Sequence, residues 1–170
     1  MLVGGFFFSR YAFKKADKEQ KYSEVLDRAA RKRAKEQWEE RERIRQERIN
    51  TSPIKDLTPI EFEEYTAQYL RDRGYRKVKL TPTTGDYGAD VLAVTPEGKK
   101  ICIQCKRYNN PVGIHAVQEI NAAKGHYKCD IAAIAVTSAG YTKQAIVLAK
   151  DLSVLLYSYN DLSREFVLHR

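Results

Sequence analysis

The sequence predicts an α/β domain, a mixed sheet flanked by helices, preceded by a charged helical extension. Three observations lead there. From residue 57 onward, helical and strand-like patterns alternate in the order α-β-β-β-α-β-α-β-α. Residues 89–95 and 99–106 are both rich in β-branched and apolar side chains, and Pro96-Glu97-Gly98 between them is a short turn that folds the pair into a hairpin. Residues 130–137 form a nearly continuous apolar run, as expected of a strand covered on both faces.

Residues 1–13 are apolar and aromatic, with Phe6-Phe7-Phe8 at their centre, but far short of the ~20 residues that cross a bilayer. They lack a charged leader and a small-residue cleavage site, so no signal peptide is expected. An interfacial anchor on a membrane surface, a docking segment for a protein partner, and a piece packed on the domain itself remain open for them. Residues 14–50 favour helix, with opposite charges at four-residue spacing in Asp17/Lys21, Glu24/Arg28, Asp27/Arg31 and Glu39/Arg43. Tyr22, Leu26, Ala29 and Trp38 follow a seam that fades after a few turns, so the segment reads as a solvated spacer rather than a coiled coil or a DNA-binding arm.

Residues 51–56 read as a linker, and 57–170 as the folded domain. Thr58-Pro59-Ile60-Glu61 is a capping-box helix start, with Thr as N-cap and Pro in the first turn. That helix runs to about Arg73 and stops at Gly74, burying Phe62, Tyr65, Tyr69 and Leu70. A strand near 76–80 and a Gly/Thr-rich loop over 81–88 lead into the hairpin. Then come a helix over 113–128, the apolar strand, a helix over 142–151, a short strand over 154–157 and a final helix over 161–168.

Net charge is +8, and residues 1–50 hold 14 Lys/Arg against 9 Asp/Glu. This is compatible with nucleic-acid binding but equally with an ordinary basic protein. Three cysteines without a secretory pattern fit a reducing, cytoplasmic setting. Cys102, Cys105, His126 and Cys129 have a superficial zinc spacing. However, residues three apart on a strand point to opposite faces, so buried apolar cysteines are the better reading.

The chemistry concentrates in the hairpin. With Glu97 at the turn centre, Thr95 pairs with Lys99 and Asp90 lies opposite Gln104. Opposed and alternate residues share a face. The hairpin therefore gathers a carboxylate, an amide oxygen and the ammonium of Lys106 on one patch, a common way to build a metal-dependent phosphodiesterase site. Gly88 falls opposite Lys106, where a missing side chain leaves room for a ligand or a DNA backbone.

Glu61-Phe62-Glu63, Gly85-Asp86-x-Gly88-x-Asp90, Gln104-Cys105-Lys106-Arg107-Tyr108, Val112-Gly113 and Val136-Thr137-Ser138 together resemble the nuclease domain of Mrr-like restriction endonucleases. That family lies within the PD-(D/E)XK superfamily, and the resemblance covers about residues 57–162. It implies a restriction-endonuclease-like core and Mg²⁺-dependent hydrolysis of DNA phosphodiesters, with Mn²⁺ as a substitute and 5′-phosphate ends.

By the same resemblance, Asp90, Gln104, Lys106 and Glu63 are the catalytic set. Asp90, Gln104 and the backbone carbonyl of Cys105 are metal ligands, and Glu63 is a candidate for a second metal or its water. Lys106 holds or activates the attacking water. Asp86 approaches the metal or fixes its own loop. Arg107, Gln118 and Lys124 are candidate phosphate contacts with DNA, whereas His115, His126 and His169 read as non-catalytic. Double-strand cleavage by one such site requires a homodimer or two nicks. A branched-DNA resolvase and a non-cleaving DNA-binding or tethered component are the competing readings.

Overall fold

The computed structural model describes residues 4–82, 87–137, 140–160 and 165–168, with side chains from Lys18 onward. Gly85, Asp86, Ser138, His169 and the side chains of residues 1–13 therefore lie outside the described residues. The chain divides into two units, residues 1–46 and 47–170.

Helix α1 (Gly4–Thr51) supplies every described residue of the first unit. Its described side chains there are almost all solvated, including Tyr22, Leu26 and Trp38. Local ion pairs support it: Lys32–Glu36, Lys35–Glu39, Arg43–Glu40 and Arg45–Glu42. Each is a solvent-screened surface pair that adds little to stability. No helix among the described residues is long and apolar enough to cross a membrane.

In the second unit a 3-10 turn at Ile54–Asp56 leads to α2 (Pro59–Asp72), started by the capping box that its sequence announces. Glu61 N–H donates to the Thr58 hydroxyl at 3.3 Å, and Thr58 N–H donates to the Glu61 carboxylate at 2.6 Å. Arg48 adds a two-pronged pair to the same carboxylate at 2.8 and 3.3 Å, and donates to Asp56 O at 2.9 Å. Burial alone would raise the pKa of Glu61; the bonds from Arg48 and Thr58 outweigh it and hold the group below the usual carboxylate range.

Strands β1 (Arg76–Leu80), β2 (Val91–Val94), β3 (Lys100–Lys106), β4 (Ile131–Val136), β5 (Val154–Asn160) and β6 (Glu165–Leu168) form one sheet in chain order. The β1–β2–β3 and β5–β6 pairings are antiparallel, and β3–β4–β5 are parallel. The parallel steps cross over through α3 (Ile114–His126) and α4 (Lys143–Leu152).

Alternation along the strands divides the core. Cys102, Ala132, Ile134 and Val136 meet Val117, Ile120 and Ala145 from α3 and α4. Ile101, Ile103, Ala133 and Ala135 meet Ala67 and Leu70 from α2. The central β4 is thus enclosed from both sides, which is why its sequence is uniformly apolar.

One element differs from the sequence reading. The final segment, expected as a helix over 161–168, is strand β6 where it is described, paired with β5 from Tyr157↔Leu168 to Asn160↔Glu165. Tertiary contacts select the extended form. Phe166 meets Tyr69 edge-on at 4.9 Å, and Phe166 N–H donates to the Tyr69 hydroxyl. Arg73 pairs with Glu165 at 3.0 Å.

Candidate active site

The hairpin has the expected register: Val91↔Ile103, Leu92↔Cys102, Ala93↔Ile101 and Val94↔Lys100. Thr95 N–H donates to Lys99 O at the turn. The pairing ends at Val91↔Ile103, and Asp90 N–H donates to that same Ile103 O, so Asp90 sits in a bulge at the start of β2 rather than squarely opposite Gln104 as the sequence predicts. Asp90 is clamped from both neighbours. Its N–H donates to Ile103 O at 2.9 Å, and its carbonyl accepts from Thr81 N–H at 3.0 Å. Its Oδ2 accepts from Cys105 N–H at 2.6 Å. The carboxylate is therefore oriented by the backbone of β3 itself.

Gln104 is almost fully buried, with 2% of its surface exposed. Its Nε2 donates to Oε2 of Glu119 on α3 at 2.9 Å. Its Oε1 is enclosed and has no hydrogen-bond partner among the described residues. Lys106 Nζ lies 3.5 Å from the same Glu119 oxygen and 5.9 Å from the centre of the Tyr108 ring. Sequence reasoning missed Glu119. A signal was present: it sits three residues after Ala116 and four before Ala123, both buried, so it borders the helix stripe that covers the sheet.

Tyr87 and Gly88, just before β2, come up against α3 beside this pair. Gly88, at φ +86°, fills the space that the sequence reading assigned to a ligand or DNA. A Cβ there would stand 3.1 Å from Glu119 Cβ and 3.5 Å from Gln104 Nε2. The missing side chain serves contact with α3 rather than an opening. Beside it, Tyr87 stacks on His126 at 3.7 Å.

Cys105 and Glu63 lie toward the other face. Burial pushes the Cys105 thiol well up, and the nearby negative charges of Asp90 and Glu63 push it further. Glu63 stands in the first turns of α2, the helix that packs on the Cys105 side of the sheet. Cys102, on the Gln104 face, is pushed up to about 12, chiefly by burial. Its two neighbours in the apparent zinc spacing separate accordingly: Cys129 packs on the same core as Cys102, and Cys105 on the opposite ones.

Arg107 donates from Nη2 to Lys55 O at 2.8 Å, which ties the end of β3 to the 3-10 turn. Thr137 Oγ1 donates to Tyr108 O and steadies the following loop. On α3, Gln118 and His115 are exposed and Lys124 is half-buried.

The donor set suits a small hard cation. Asp90 offers a pre-oriented carboxylate, Gln104 an orphaned buried oxygen, and Cys105 a backbone carbonyl, all oxygen donors of the kind Mg²⁺ accepts while keeping several waters. No group of three His, Cys, Asp or Glu is arranged for a metal among the described residues.

A family profile described as "Restriction endonuclease" (Mrr_cat) matches residues 54–166. No curated protein matches significantly. Among solved structures, EndoMS in its apo form aligns with a TM-score of 0.44 and 15% identity, over 59% of this chain and 45% of that one. A repair endonuclease from Pyrococcus abyssi aligns with a TM-score of 0.41 and 16% identity, over 57% and 43%. The chain thus spans less than half the length of either protein.

Proposed function

The chain belongs to the Mrr-type restriction endonuclease family, and from that premise we propose that it is a metal-dependent DNA endonuclease. The observation that carries the reading is the orphaned Oε1 of Gln104. A buried acceptor without a donor costs about 1–3 kcal/mol, and a cation beside the Asp90 carboxylate would relieve that cost.

Asp90, Gln104 through Oε1, and the Cys105 carbonyl would hold a Mg²⁺ or Mn²⁺ ion. When bound, that ion supplies Lewis-acid stabilisation of charge on the phosphate. Asp90 keeps its orientation through Cys105 N–H, so its carboxylate needs no rearrangement to bind. Lys106 sits two residues from Gln104 on the same strand face. Its ammonium stabilises charge developing on the phosphate oxygens and orients the attacking water. Glu63, from the α2 side, is the group available to accept a proton or hold solvent at the strand end. Arg107, Gln118 and Lys124 are proposed to flank the DNA backbone, with Arg107 contributing through the half of its guanidinium not engaged with Lys55 O.

Supercoiled plasmid incubated with the full chain in Mg²⁺ or Mn²⁺ should be nicked or linearised. Chelation should abolish cutting, and so should Lys106→Ala. Gel retention of DNA by both proteins without any cutting would replace this reading with a binding module.

A further inference from the structure

We infer that Glu119 is a positioning residue whose carboxylate fixes which end of the Gln104 amide faces the cation site. The inference rests on the proposed metal site and extends it to a residue outside the hairpin. The oxygen and nitrogen ends of a glutamine amide are nearly isosteric, so packing alone does not select between them. A carboxylate does select, because it only accepts hydrogen bonds. Glu119 Oε2 takes the Nε2 end at 2.9 Å, which leaves the enclosed Oε1 as the end without a hydrogen-bond partner among the described residues. Turning the amide over would set two acceptors against each other in a site where Gln104 is 2% exposed. It would also present a donor where a cation needs an acceptor.

Two further contacts hold Glu119 to this task. Lys106 Nζ shares the same oxygen at 3.5 Å, so that oxygen already serves two donors. Gly88, lacking a side chain, lets the backbone come up close to Glu119 at its Cβ. A neutral glutamine can stand in a ligand position here because its dipole is oriented by a neighbouring charge.

The test measures Mn²⁺ binding by electron paramagnetic resonance on the full chain, with thermal melts of each variant alongside. Asp90→Ala should abolish tight binding. Glu119→Ala should weaken it by about tenfold or more, the usual effect of losing a partner that orients a ligand. Glu119→Gln, whose own Oε1 still accepts from Gln104 Nε2, should retain most of the affinity. In a Gln104→Ala background, Glu119→Ala should have no further effect, because the amide through which it acts is gone.

If Glu119→Ala binds Mn²⁺ like the wild type while Asp90→Ala does not, the orienting role is overturned and the metal site stands. If Asp90→Ala also binds like the wild type, the site itself is misplaced. Equal losses in Glu119→Gln and Glu119→Ala would show that the charge matters rather than the amide's orientation, which also overturns the inference. Should Glu119→Ala fail to fold, Glu119→Met, close in size and without an acceptor, takes its place with the same expectations.

Discussion

Gly88→Ala, set beside Gly98→Ala, separates backbone strain from site geometry. Both glycines lie at positive φ, +86° and +91°. An L-residue there costs roughly 1–2 kcal/mol. The substitution also stiffens the unfolded chain, which offsets about 0.5 kcal/mol. Each variant should therefore lose about 1 kcal/mol, or about 3–5 °C in Tm for a domain of this size. The two differ in what the new methyl meets. At Gly98 nothing lies within 4 Å, whereas at Gly88 it stands 3.1 Å from Glu119 Cβ and 3.5 Å from Gln104 Nε2. Relieving that contact means moving the loop or α3 by a few tenths of an ångström, directly at the Gln104–Glu119 bond. Melts and plasmid nicking on the same preparations read the difference. Gly88→Ala should lose cutting out of proportion to its stability, while Gly98→Ala should cut at the wild-type rate below its Tm. Equal activity in the two variants would refute the claim that the loop braces the site.

Other outcomes follow from the same coordinates. Arg48→Ala should destabilise the second unit by breaking its pair with the buried Glu61 carboxylate, measured by urea unfolding at pH 7. The pH sign is fixed by Glu61. Its folded pKa is depressed, so the stabilisation is complete above the unfolded value of about 4.3 and is lost as pH falls through the folded value; Arg48→Ala should flatten that acid limb. Tyr141→Phe removes the single hydroxyl proton shared between Ile134 O at 2.9 Å and Tyr157 O at 2.8 Å, and should cost about 1–3 kcal/mol by leaving a buried carbonyl short of a donor. Cys102 and Cys105 should resist thiol reagents at pH 8 until the protein unfolds, since burial raises both thiols; rapid labelling of either in the native state would contradict their placement.

The hairpin was legible in the sequence because its determinants are local: period-two apolar alternation and a three-residue turn fix which residues oppose each other. The capping box of α2 is equally local. Glu119 was not legible in the same way. Its role depends on how the α3 crossover lies over β3, and a glutamate beside other polar residues looks like ordinary solvated helix surface. Segment 161–168 failed for a related reason. A short run such as Glu165-Phe166-Val167-Leu168 suits helix or strand, and the aromatic group of Phe62, Tyr65, Tyr69 and Tyr159 around Phe166 decides between them. Gly88 shows the opposite error. Its importance was legible, but the space beside it belongs to a helix side chain that the local pattern does not reveal.

The placement of the site follows from the position of β3 in the sheet. It is the strand where the sheet changes from antiparallel pairing with β2 to parallel pairing with β4. The antiparallel neighbour can bring Asp90 directly against its C-terminal half, because a hairpin reverses the chain. The parallel neighbour forces a crossover, and the crossover helix then leaves the same strand end with Glu119 facing back onto it. Alternation along β3 sends Gln104 and Lys106 toward that helix and Cys105 toward the face that α2 covers. One strand end thus receives acidic groups from a hairpin and from helices on both faces, while its own residues supply the amide and the ammonium. A fully antiparallel sheet would lack the crossover helix, and a fully parallel one would lack the opposed carboxylate. The mixed topology is therefore what brings an 'Asp, Gln-x-Lys' pattern to one strand end, where the proposed cation site would lie.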